Sequence, residues 1–275
     1  MDKNQNLRDF FAAPVNQTTR ERIFFSRLSF DLKIAAARNG YHLHLYEPDV
    51  DRDGFDIVVE DEDTSRWFQT KAVLASAATK SWDIHAGLLW PTVDAGEAYG
   101  RAPVEGGRGG GVILIEIDDT DHAGNVVYWY TDYDIITAIA EGFLTEQIVV
   151  NTGPGRPYKS ARREANDALG LIHSSDRDKK VGVSRKLFVE MSSADALLAA
   201  MGMRTDNNYG IYTIRNSFRQ VMIDDAGHSA ANTDLDLVSA LNYHMAILAG
   251  YQPTATAAKP ARFTPFTWVK ELPSG

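Results

Sequence analysis

The feature that most restricts this chain is a change of hydrophobic period at Asn39-Gly40. Before it, Phe24, Phe25, Leu28, Leu32 and Ala35 recur at the spacing of one helix face. After it, Tyr41, Leu43 and Leu45 alternate with polar residues, the spacing of a strand. Thr18 and Glu21 stand at N-cap and N3 separation, so a helix is predicted over 18–38, opened by a capping box and stopped by Asn39-Gly40. A helix feeding directly into strands buries its apolar stripe on the sheet they build.

Strand patterns run through Tyr41–Tyr46, Phe55–Glu60, Arg66–Val73, Val112–Ile117 and Val126–Tyr130. A short helix is predicted over Ser81–Leu89, and another capped by Asp132 or Asp134 and ending near Leu144. This order predicts an α/β sandwich over residues 1–150, with a central mixed sheet flanked by helices. Residues 151–252 read as a C-terminal α/β extension, either a separate unit or a completion of the first. It holds a Gly/Pro break at Asn151–Pro157, a strand over Lys186–Met191 and helices near Ser193–Met201 and over Leu235–Ala249. Residues 253–275 form a Pro-rich tail. The glycine run 105–111 lacks the GK[ST] ending of a phosphate loop and reads as a connector.

Composition removes several function classes. With no cysteine among 275 residues, disulfides, thiolate zinc sites and a Cys nucleophile are excluded. No apolar run reaches the roughly eighteen residues of a membrane span. The opening MDKNQNLRDF has no apolar segment of a secretory leader, so a cytoplasmic location is expected. A net charge of -9 argues against a general nucleic-acid coating protein. The charge is uneven, though: residues 156–186 carry nine Lys/Arg against four Asp/Glu. Arg156, Lys159, Arg162, Arg163, Lys179 and Lys180 are the candidate phosphate contacts there; the alternative is a solvated mixed-charge surface.

The chemistry concentrates on one predicted hairpin. Side chains two apart on a strand share a face, so Gln69 and Lys71 point the same way. Pairing through a turn between Glu62 and Thr64 sets Asp56 opposite Gln69 or Lys71; a slip of one residue would set it opposite Thr70. Asp56 and the Gln69 amide then offer two oxygens to a hard cation, Mg²⁺ or Mn²⁺, of the kind that phosphodiester cleavage needs. Lys71 can steer the attacking water or neutralise charge on the phosphate. The plainer alternative is an ordinary strand ion pair, which half-burial of an idle charge disfavours.

Asp56, twelve residues, then Gln69-Thr70-Lys71 resembles the D-x(n)-(E/Q)xK signature of the PD-(D/E)xK nuclease superfamily, in the glutamine form of Mrr-type restriction endonucleases. The helix ending in Asn39-Gly40-Tyr41 and the run Asp53-Gly54-Phe55-Asp56 are also similar, and the resemblance covers residues 18–145. It implies a restriction-endonuclease-like fold and a metal-dependent endonuclease acting on double-stranded DNA, in restriction or defence. It also implies an acid from the first helix, Glu21 or else Asp31. Gln69 in place of a carboxylate leaves the metal site one charge poorer, so an inactive nuclease-fold binding subunit stays open, as does a homodimer or a partner subunit.

Three other patterns carry less chemistry. Asp49-Val-Asp51-Arg-Asp53-Gly54, with Glu60 at position twelve, has calcium-loop spacing, but strand patterns flank it where helices belong. His42 and His44 share a strand face without a third ligand. His85 falls near the hairpin with no partner that the sequence names.

Overall fold

Helix α2, Gln17–Arg38, buries Phe24, Leu28, Leu32, Ala35 and Ala36 along one side, as the periodicity requires. It does not begin with the predicted capping box. Asn16 is its N-cap residue and makes no side-chain capping bond, while Thr18 lies inside the first turn. A preceding helix, α1 (Lys3–Ala12), and a 3₁₀ turn at Pro14–Asn16 lead straight into it. Phe11 stacks on Phe24, and the Arg20 guanidinium donates to the Phe11 carbonyl, so α1 itself ties down the start of α2. The computed structural model describes residues 3–48, 54–61, 65–90, 108–119, 124–141, 144–145, 160–191, 193–203 and 267–268.

The strands are β1 (His44–Tyr46), β2 (Ile57–Glu60), β3 (Ser65–Leu74), β4 (Ser81–His85), β5 (Gly111–Ile117), β6 (Val126–Asp132), β7 (Leu144–Thr145), β8 (Lys180–Ser184), β9 (Val189–Met191) and β10 (Thr267–Trp268). Six of them form the central mixed sheet, in the order β1-β2-β3-β5-β6-β9. Only β3 and β5 pair in parallel; the other four contacts are antiparallel. A parallel pair needs a crossover connection, and residues 75–110 supply it. Strand β5 is buried along its whole length, which is why Val112–Ile117 reads as an unbroken apolar run with one acid. Three-residue strands close both edges and offer little template for further pairing.

Helices cover both faces. These are α3 (Ala86–Leu89), α4 (Tyr133–Glu141), α5 (Ala161–Ser174) and α6 (Ala194–Ala200). Tyr128 and Trp129 are consecutive on β6 and face opposite ways. The Tyr128 hydroxyl donates to Asp31 of α2 at 2.7 Å, and α2 in turn holds α6 through Asn39 and Asp195. Beneath Trp129 lies the Arg185 guanidinium, carried on a 3₁₀ turn that packs with α4 and α5. The sheet thus separates α2 and α6 from α4 and α5.

Several expectations are corrected in detail. The predicted helix over Ser81–Leu89 is a strand followed by one helical turn, because Ser81–His85 pairs antiparallel with β8. Lys186–Met191 is a 3₁₀ turn and then a short strand. Tyr41–Tyr46 is strand only from His44 onward. Asp132, rather than Asp134, caps α4, its carboxylate accepting from the Ile135 N–H. The Leu235–Ala249 helix lies outside the described residues, as does most of the tail, of which Thr267–Trp268 pairs with β7. Residues 160–203 build into the first half: β9 extends its sheet, and Glu116 of β5 forms a buried ion pair with Arg185.

Candidate functional site

Strand β2 pairs with β3 in the register Ile57↔Phe68, and the Asp56 N–H donates to the Phe68 carbonyl at 2.9 Å. Extended by one residue, that register sets Asp56 beside Gln69. Past this point β2 no longer covers β3, and the Thr70 N–H on that edge needs another acceptor. The Asp56 carboxylate provides it: Oδ2 accepts from the Thr70 N–H at 2.7 Å and the Thr70 hydroxyl at 3.1 Å. Asp56 therefore holds the two strands together where their ladder ends.

Gln69 and Lys71 share the face of β3 that carries Trp67 and Val73. Gln69 is only 4% exposed, and its Oε1 is buried with no hydrogen-bond partner. A buried acceptor left empty costs about 1–3 kcal/mol. Lys71 is half-buried and makes no ion pair among the described residues. One further buried acceptor is in the same condition. The cross-strand row from Gln69 passes through Val112 to Thr131, whose hydroxyl is fully buried and also without a partner.

The α2 acids are elsewhere. Asp31 accepts from Arg27 Nε and from the Tyr128 hydroxyl, both at 2.7 Å, on the sheet face opposite Gln69 and Lys71. Burial and this carboxylate together push the Tyr128 hydroxyl well above its ordinary pKa. Glu21 is exposed, and its carboxylate accepts from Gln17 one turn earlier. The structure thus sets Asp56 next in register to Gln69 with its carboxylate on Thr70, keeps Gln69 and Lys71 on one face of β3, and brings no acid of α2 to them.

Two further residues adjoin this hairpin, His85, which the sequence places near it without a partner, and Arg108, which it does not single out. His85 ends β4 with its ring against Gly54, where a Cβ would come within 2.1 Å of the ring; Gly54 also has φ of 74°, so both space and backbone call for glycine. Arg108 lies over the rings of Phe55, at 5.0 Å, and Trp67, at 5.6 Å. The only sequence signal for it was a lone cation inside the glycine run. The described end of that run is a close-packed approach: a Cβ at Gly110 would stand 2.4 Å from the Trp67 carbonyl oxygen.

Of the basic candidates, Lys180 is the β-ribbon partner of His85 and Lys179 adjoins it, pairing with Asp176. Arg162 donates to the Ala140 carbonyl, tying α5 to α4, and Arg163 is exposed on α5. Arg156 and Lys159 lie outside the described residues. Glu60, the twelfth residue of the calcium-like spacing, sits in β2, paired antiparallel with both β1 and β3, so no second loop helix follows; Asp49–Asp53 lie outside the described residues.

Among the described residues no three His, Asp or Glu side chains gather as a metal site. The donor set is therefore one carboxylate and one amide oxygen. That suits a hard cation which completes its shell with water and substrate phosphate, and the partnerless Gln69 oxygen is the feature that fits such an ion. No helix among the described residues is long and apolar enough to cross a membrane. No family model, curated protein or solved structure matches the chain, so the functional reading rests on these residues and their geometry.

Proposed function

We propose that the chain is a Mg²⁺- or Mn²⁺-dependent nuclease that hydrolyses phosphodiester bonds of double-stranded DNA on a restriction-endonuclease-like scaffold. The observation that carries this reading is the buried Gln69 oxygen without a partner, on the strand face it shares with Lys71 and next in register to Asp56. Asp56 and Gln69 would hold the ion, which when bound polarises the phosphate and acidifies a water. The Lys71 ammonium neutralises charge gathering on the phosphate oxygens as the water oxygen bonds to phosphorus and the ester P–O bond breaks. Its half-burial strengthens that interaction over what bulk water would allow. The Thr70 bonds fix the Asp56 carboxylate, so little ordering is needed when an ion binds.

The test is cleavage of supercoiled and linear DNA with Mg²⁺ or Mn²⁺, comparing the full chain with Lys71→Ala. Lys71 makes no ion pair among the described residues, so this variant should fold normally and cut at least a hundredfold more slowly, on the order of one lost electrostatic catalyst. Equal rates in the two proteins would sink the assignment.

A second reading is favoured by one observation: the Asp56 carboxylate already serves Thr70, and it has no acidic companion from α2. On that reading the fold is an inactive binding scaffold. Calorimetric Mn²⁺ titration separates the two, since only a working site loses affinity in Asp56→Asn.

A further inference from the structure

Helix α2 is apolar on two sides. One side faces the sheet; the other carries Ile23, Phe30 and Ile34, which fall on one stripe of the helix and are all exposed, Phe30 by 62%. Isolated apolar residues on a surface are ordinary, but three large ones grouped on one stripe mark a docking surface, and a helix apolar on both sides is one that is covered on both. We propose that this stripe docks residues 235–249 of the same chain. Those residues lie outside the described ones, and their sequence reads as an apolar helix in which Val238, Leu241, Met245 and Leu248 recur at the spacing of a helix-packing seam.

Charge selects the same occupant. Arg22 and Lys33 flank the stripe on one side, Arg27 and Arg38 on the other, and all four are exposed. Among the described residues Arg27 alone of these has an acid against it, Asp31. Two copies of this face would set basic rim against basic rim, which disfavours a second copy of the chain. Residues 220–258 have the opposite character, with Asp224, Asp225, Asp234 and Asp236 and no Lys or Arg. The chain path agrees. Helix α6 packs on α2, where the Asn39 amide donates to Asp195, and the described chain runs on from α6 to Met203. From there residues 204–234 can reach well past the roughly 33 Å length of α2. The stripe lies on the outer side of α2, beyond the sheet face opposite Gln69 and Lys71, so a segment docked there does not cover them, whatever their function.

The chain has no cysteine, so the test places single thiols in the full chain. Phe30→Cys should react with a water-soluble thiol reagent about tenfold more slowly than Arg163→Cys, which stands on the exposed side of α5, because a docked segment must open first. Phe30→Cys combined with Leu241→Cys should be joined within one chain by a short bis-maleimide linker, whereas Arg163→Cys combined with Leu241→Cys should not. Equal labelling of Phe30→Cys and Arg163→Cys overturns the proposal. So does linking of Phe30→Cys between two chains, which would make the occupant a second copy, and so does protection of Phe30→Cys with no link to Leu241→Cys in a folded double variant. If Leu241→Cys fails to fold, the two single variants decide, since both replace exposed residues: slow labelling of Phe30→Cys that is unchanged by dilution supports docking within the chain, and fast labelling excludes it.

Discussion

Gln69 and Glu116 are both buried polar residues on the same face of the central sheet, one on β3 and one on β5, yet they are provided for differently. Glu116 has the Arg185 guanidinium against it, on a turn nearly seventy residues later in the chain (|i−j| = 69). Gln69 Oε1 has nothing. A buried carboxylate cannot stay charged without a partner, whereas a neutral amide oxygen can be left empty at a smaller cost. The paired group holds the fold together; the empty one is a cost that makes sense where a ligand supplies the missing contact.

That contrast can be broken by mutation. Glu116→Ala should be the most damaging change, costing about 3–5 kcal/mol in urea denaturation, because it strands the buried Arg185 charge; a loss below about 1 kcal/mol would show that water reaches the pair. Asp56→Ala should cost about 1–3 kcal/mol by removing the acceptor of the Thr70 N–H. Asp56→Asn keeps an acceptor oxygen and should lose much less, and equal losses would show that the bond contributes nothing.

At the other end of the comparison, Thr131→Val removes a buried hydroxyl that has no partner and should raise stability by up to about 1 kcal/mol. Gln69→Met should be similarly mild by thermal melting while removing metal-dependent cleavage, and a strongly destabilised Gln69→Met would mean that the amide is structural. An effect of similar size is expected on the opposite face. The raised Tyr128 pKa means that the folded state disfavours its ionised form, so this contribution is intact below about pH 10 and declines as the pH rises beyond it. Tyr128→Phe should cost about 1 kcal/mol near neutral pH and flatten that alkaline decline, which denaturation midpoints between pH 8 and about pH 11 would check.

The parts of the fold that sequence made legible are those whose signal is local. Phe24, Leu28 and Leu32 announce α2, and Val112–Ile117 announces a central strand, because helix and strand geometry repeat within a few residues. Trp82 and Ile84 alternate as a strand does, but the partner that makes Ser81–His85 a strand is about a hundred residues away, where Val181 and Val183 alternate in turn. Helix α1 was missed because only Leu7, Phe10 and Phe11 mark it, and its stability comes from packing on α2.

The candidate site divides the same way. That Gln69 and Lys71 share a face follows from the two-residue period of a strand, and the short acidic turn limits where Asp56 can sit opposite them. Whether an acid from α2 reaches them depends on which face of the sheet α2 covers, and no local pattern encodes that. Nor could spacing bring Arg108 to Phe55 and Trp67, or Arg185 to Glu116. The sequence by itself determined α2 with its buried side, the central strand β5 and the shared face of Gln69 and Lys71, because backbone periodicity is set by neighbouring residues. Only the tertiary structure decided that Asp31 serves Tyr128 on the far face and that Arg108 joins the near one, because the side of a sheet on which a segment packs is fixed by contacts between residues distant in the chain.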